Sequence, residues 1–251
     1  VDRARARWST VERLAGLPWR GAALDQAVLA YLAGDLAAFP AAARRAAERG
    51  EDSYELARLE ARAAAERGDL AAVRRAGERA ITLAATHPEP WSAQAALLAG
   101  GGDFDAAAEV LARGRARFPD SAALSYDSGV VSAYQGRSDL AIGFFSRALE
   151  LDPTHRPARE NLAGMLASVG RYDAALAVYA RAIAEAPADA ELQALRARVL
   201  VATGRRDEAV AALRDWLNDH PDASGVRSLM QELEASPDPA GASGGNQGIR
   251  P

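Results

Sequence analysis

The chain has 251 residues with no cysteine and no lysine, so its 30 basic side chains are all arginine, and 62 residues are alanine. Alanine has the best intrinsic helix propensity and adds little to a pleated surface, so this composition predicts an all-α fold. Without cysteine there is no disulfide, thiolate nucleophile or cysteine-ligated metal centre, and a net charge of −4 disfavours a broad nucleic-acid surface.

In chain order, residues 2–15 predict a helix with Trp8, Val11 and Leu14 on one side. It is read either as an N-terminal cap within 1–19 or as the second half of a repeat lacking its first helix. The start, VDRARARWST, has no apolar signal-peptide core, and Val1 in place of methionine leaves room for a trimmed upstream segment. From residue 20 onward a period appears. Glycine recurs at 34, 68, 102, 136, 170 and 204, a constant spacing of 34, and proline at 119, 153, 187 and 221 keeps the same phase. A small residue precedes each glycine by seven: Ala27, Ala61, Ala95, Gly129, Ala163 and Ala197.

Each period predicts two helices. In the unit 156–189 they are expected near 157–169 and 173–185. Gly170 ends the first by adopting a left-handed conformation, Asp173 caps the second, and Pro187 ends it because it lacks an N–H. Ala163 and Ala175 are small where helix axes cross, and Leu162, Leu166, Leu176, Tyr179 and Ile183 form the apolar stripe. Residues 224–235 predict a capping helix using Val226, Leu229, Met230 and Leu233, and 236–251 a disordered tail.

These residues resemble the tetratricopeptide repeat family. The resemblance is carried by Trp91, Ala95, Gly102, Phe104, Ala107 and Pro119 in unit 88–121, and by Gly129, Gly136, Ala141, Phe145, Ala148 and Pro153 in unit 122–155. Leu162, Ala163, Gly170, Tyr172, Ala175, Tyr179, Ala182 and Pro187 continue it through 156–189. Unit 190–223 keeps Ala197, Gly204, Ala209 and Pro221 but puts Trp216 where a small residue is usual, which predicts that the stack ends close by. Units 20–53 and 54–87 depart further, with Phe39 and Val73 replacing the small residue of the second helix. They retain the phase through Gly34-Asp35-Leu36 and Gly68-Asp69-Leu70, giving six repeats in all.

The resemblance implies a right-handed superhelical solenoid of stacked antiparallel helix pairs, whose first helices line a concave groove for a peptide or protein partner. Carried onto this chain, groove positions fall at Leu24, Val28 and Tyr31, at Arg58 and Arg62, and at Ser92, Ala96 and Ala99. Further along they fall at Tyr126, Asp127, Val130 and Tyr134, at Glu160, Asn161 and Gly164, and at Ala194 and Arg198. The candidate partner-binding residues are Tyr31, Arg62, Tyr126, Asp127, Tyr134, Asn161 and Arg198. Tyr126 and Tyr134 lie two turns apart on one helix and either anchor a ligand or pack between helices. Asn161 holds a peptide backbone or makes a local hydrogen bond; Arg62 and Arg198 grip a carboxylate or belong to a solvated face. The family's chaperone-tail binders use a lysine and asparagine network, which a lysine-free chain with an isolated Asn161 does not reproduce.

No catalytic, cofactor or metal site is expected. His87, His155 and His220 are separated by whole repeats, and neither a phosphate-binding loop nor a G-x-S-x-G elbow occurs. The pairs Arg44-Arg45, Arg74-Arg75 and Arg205-Arg206 alternate with Glu48, Glu78 and Asp207, as on a charge-paired surface, so nucleic acid is not an expected partner. No apolar run approaches the ~20 residues of a membrane-spanning helix, so no direct membrane insertion is expected. The expected function is a non-catalytic scaffold in assembly of a bacterial multiprotein complex. The alternatives are an accessory or regulatory domain of a larger enzyme, and self-association through the end helices. A cytoplasmic location is expected, or a periplasmic or envelope location if an export signal has been removed.

Overall fold

The computed structural model describes residues 22–50 and 52–235, with side chains of the first helix described from residue 26. The helix expected over 2–15, the side chain of Leu24 and the tail 236–251 lie outside the described residues. The chain divides into two compact units at Pro153/Thr154. In the first, the helices are α1 (Ala22–Ala33), α2 (Phe39–Glu48), α3 (Tyr54–Glu66), α4 (Leu70–Leu83), α5 (Glu89–Gly100), α6 (Phe104–Arg117), α7 (Ala122–Tyr134) and α8 (Ser138–Leu151). In the second they are α9 (Arg156–Ser168), α10 (Tyr172–Glu185), α11 (Ala190–Ala202), α12 (Arg206–Asp219) and α13 (Ser224–Ala235). Among the described residues all regular structure is α-helical, arranged as antiparallel pairs, in agreement with the all-α expectation.

The periodic glycine makes each pair. All six have φ between 72° and 84°, a region closed to most side chains. The residue after each glycine donates its amide back across the turn, as Asp69 does to Ala64 O (2.9 Å) and Arg171 to Leu166 O (2.8 Å), which satisfies a carbonyl left orphaned at the helix end. The second helix then starts in one of two ways. In the early pairs Asp69 and Asp103 cap α4 and α6 by accepting the amides of Ala72 and Ala106 at 2.9 and 3.1 Å, while Asp35 accepts the Ala38 amide at 2.9 Å in the turn ahead of α2. In the later pairs the equivalent residues are Arg137, Arg171 and Arg205, and none caps with its side chain. Asp173 does not cap α10 as expected. The helix begins at Tyr172 with Arg171 at the cap position, so Asp173 lies inside the first turn rather than at the cap.

Small residues sit where the helices cross. Ala27, Ala61, Ala95, Ala163 and Ala197 are buried, as are Ala107, Ala141, Ala175 and Ala209 on the second helices. At Gly129 the approach is closer still, since a Cβ there would lie 2.5 Å from two carbons of the Phe145 ring. Phe39 and Val73 are also fully buried, with Phe39 edge-on to Tyr31 at 5.8 Å, so bulk at these positions fills the core rather than disrupting it.

Within the first unit, each first helix packs on the next first helix, from α1 to α3 to α5 to α7. Each second helix packs on its own partner and on the following first helix, while successive second helices make no comparable contact. The first helices therefore form the close-packed side of this unit, and the second helices stand apart on the other side. In the second unit α13 covers α11 and α12, burying Val226 with Leu229, Met230 and Leu233 packed against Ala197, Leu200 and Leu213. Trp216 is half-buried, donates its indole N–H to Pro187 O at 2.8 Å and stacks on His220 at 4.0 Å.

Candidate functional site

In the first unit the face built by the first helices carries the sequence-predicted positions of α1, α3 and α7, which divide into core, committed and presented residues. Tyr31 is core. It is wholly buried, packs on Phe39, and donates its hydroxyl hydrogen to Glu66 Oε1 of the next pair at 3.0 Å. Val28 is buried beside it. With its ring wholly buried and its hydroxyl bonded to Glu66, Tyr31 presents no surface to a ligand, which corrects the expectation that it meets one.

On α3, Arg58 is committed to Glu55 of its own helix, with Nη2 and Nε donating to Oε2 at 2.6 and 2.9 Å. Arg62, one turn further, is half-buried and already engaged within the protein. At the start of α3, burial and then the Glu89 carboxylate push the Tyr54 phenol up to about 12. It therefore stays a neutral hydroxyl throughout the physiological range.

Helix α7 brings three candidates together: Tyr126, Asp127 and Tyr134. The two tyrosines do not share one environment. Tyr126 is half-buried and leans on Phe145 of α8 at 5.8 Å, whereas Tyr134 stacks nearly parallel on Phe104 of α6, 5.4 Å between centroids. Despite that stack Tyr134 is 71 % exposed, more than any other large apolar side chain among the described residues. Asp127 is half-buried and engaged within the protein. Phe104 was legible only as a family position; its role as a platform for Tyr134 depends on the stacking of two successive pairs.

In the second unit Asn161 on α9 and Arg198 on α11 are both exposed. Asn161 already has an interaction within the protein. Arg198 acts electrostatically on the buried Tyr179 phenol, which burial and then Glu160 push up while Arg198 pulls it back.

The histidines have structural roles at turns. His155 accepts the Ala158 amide through Nδ1 at 3.2 Å, capping α9, and His87 lies 2.9 Å from Thr86 Oγ1. Among the described residues no group of three or more histidine, aspartate or glutamate side chains could hold a metal ion, and no helix is long and apolar enough to cross a membrane.

Two tetratricopeptide repeat family models match the chain, one over residues 92–156 and the other over 133–198 and 166–233. No curated protein matches it significantly. Among solved structures it is similar to the MamA protein, at 20 % identity and a TM-score of 0.55, covering 68 % of this chain and 94 % of MamA. It is similar to PilF of Pseudomonas aeruginosa at 15 % identity and a TM-score of 0.52, covering 94 % and 99 %. It is also similar to YrrB, described as a tetratricopeptide repeat protein with an unusual peptide-binding site, at 18 % identity and a TM-score of 0.52, covering 77 % and 97 %. At these identities the likeness is one of fold.

Proposed function

Because the chain belongs to the tetratricopeptide repeat family, we propose that it is a non-catalytic scaffold that binds a peptide or protein partner on its first-helix face. The observation that carries this reading is Tyr134, an aromatic ring 71 % exposed yet held in one orientation by its stack on Phe104. A tyrosine so held offers apolar area and a hydroxyl with little conformational entropy left to lose, the combination typical of interface anchors. The neighbouring α7 residues Tyr126 and Asp127 extend the surface with a second ring and an acceptor. The peptide-binding site described for YrrB supports a peptide as the ligand class.

Affinity capture from the native organism, compared between the wild-type chain and Tyr134→Ala, tests the reading. Specific partners identified by mass spectrometry should be depleted about tenfold or more on the variant, the scale expected for an aromatic anchor worth more than 1 kcal/mol. Undiminished capture by a Tyr126→Ala/Tyr134→Ala double variant with unchanged helical circular dichroism would move the site off α7.

A further inference from the structure

The second helices of the first unit stand apart, so wedges open between them with a first helix as the floor. The wedge between α2 and α4 forms a cleft of about 480 Å³, within the range of ligand-sized pockets. Its lining is strongly cationic: Arg44 from α2, Arg67 at the end of α3, and Arg75 and Arg79 from α4. Pro40 and Ala47 supply apolar wall, with the buried Phe39 and Ala76 behind them.

Only part of this charge is neutralised internally. Arg79 holds both nearby acids, with Nε 3.2 Å from Asp52 and Nη2 2.5 Å from Glu60. Arg67 donates one long hydrogen bond, 3.4 Å, to Leu36 O. Arg44 and Arg75 are exposed and make no ion pair among the described residues. The cleft thus sets four guanidinium groups against two carboxylates, in a protein whose net charge is −4.

The next wedge, between α4 and α6, shows what this one lacks. One period of 34 carries Arg44 to Glu78, Arg79 to Arg113 and Arg75 to Glu109. There Glu78 and Arg113 form a two-pronged pair at 2.7 and 2.8 Å that ties the helices together, and Glu109 adds to the field holding Arg113 charged. Two positions occupied by carboxylates in one wedge are arginines in the other. The α2–α4 wedge therefore keeps its Arg113 equivalent, Arg79, paired with Asp52 and Glu60, but carries arginines where the second helices of the next wedge supply Glu78 and Glu109.

We propose that this cleft is a second docking site, distinct from the first-helix face, and that it takes an acidic segment of a partner protein. Two carboxylates of that segment would meet Arg44 and Arg75 in the fork geometry that guanidinium groups favour, with an intervening apolar side chain against Pro40 and Ala47. Coulomb attraction between such a segment and the cleft is screened by salt, so affinity falls as ionic strength rises.

Fluorescence anisotropy with the full chain and a fluorescein-labelled peptide of alternating glutamate and leucine tests the proposal. The peptide should bind, and Arg44→Glu and Arg75→Glu should each weaken binding by about tenfold or more, as expected for loss of a charge-assisted hydrogen bond. Arg44→Glu reinstates the carboxylate that the next wedge carries, so it should melt no lower than wild type. If it does melt lower, Arg75→Glu is the deciding variant. Tyr134→Ala on the first-helix face and Arg181→Glu in the second unit should bind the peptide as wild type does, which separates this site from the first-helix reading and from diffuse charge attraction. The proposal is overturned by absence of binding, by equal weakening with Arg181→Glu, or by displacement of the peptide by short oligothymidylate at lower concentration than by unlabelled peptide.

Discussion

Gly129 illustrates how far single side chains govern the packing. Its helix approaches Phe145 so closely that an added Cβ would stand 2.5 Å from ring carbons, and Phe145 is itself fully buried and unable to swing away. Gly129→Ala should therefore destabilise the first unit by ~1–3 kcal/mol, the usual cost of an overpacked core, although alanine is the better helix former. Thermal melting checks this, and an unchanged midpoint would mean that the two helices separate more freely than their contact suggests. Glu78 gives a second prediction at this scale. Its hydrogen bond to Arg113 holds its carboxyl below the ordinary value of 4.5. The pair's stabilisation is thus present above that value and is lost as pH falls through the lowered folded one. Glu78→Gln should melt below wild type at neutral pH and converge with it in acid. Both side chains are nearly half exposed, so solvent screening limits the gap to about 1 kcal/mol or less.

At the scale of the helix, the contrast between early and late pairs is a contrast in how a helix begins. Asp69 accepts the Ala72 amide, whereas Asp173 sits within its helix and caps nothing. Asp69→Ala should cost ~1 kcal/mol, and Asp173→Ala should cost a few tenths, reflecting a carboxylate in a first turn and its long, exposed ion pair with Arg205 at 3.8 Å. Urea denaturation of the two variants distinguishes these values. This difference marks the limit of what the sequence made legible. The turn glycine and the alanine at each crossing answer to local requirements, so their phase alone located the helix pairs. The exact start of α10 depended on which of two adjacent residues entered the helix, and a capping residue and a first-turn residue look alike in a string of letters. Tyr31 was misread for a different reason. Its burial is decided by Phe39 on the second helix and by Glu66 in the following pair, which no property of α1 alone reports. Arg44 and Arg75 read in the sequence as part of a charge-paired surface, and the imbalance around them emerges only when Glu78 and Glu109 are set in phase with them.

At the scale of the molecule, stability is a sum of local terms, because within each unit the described helix pairs pack on their sequence neighbours. Leu213, 1 % exposed on α12, lies in the cluster closed by α13. Leu213→Ala should remove ~2–5 kcal/mol of local stability. In hydrogen–deuterium exchange the loss should appear as faster exchange over α11, α12 and α13, with α3 to α6 unchanged. Uniform acceleration along the chain would instead indicate a single all-or-none folding unit.

The stack of Tyr134 on Phe104 joins rings from two successive helix pairs, so it also measures the angle between them. Bending that opens the pairs must pull the rings apart, and bending that closes them must press the rings together. The ring proposed as the partner's anchor is thus also placed to report the curvature of the unit.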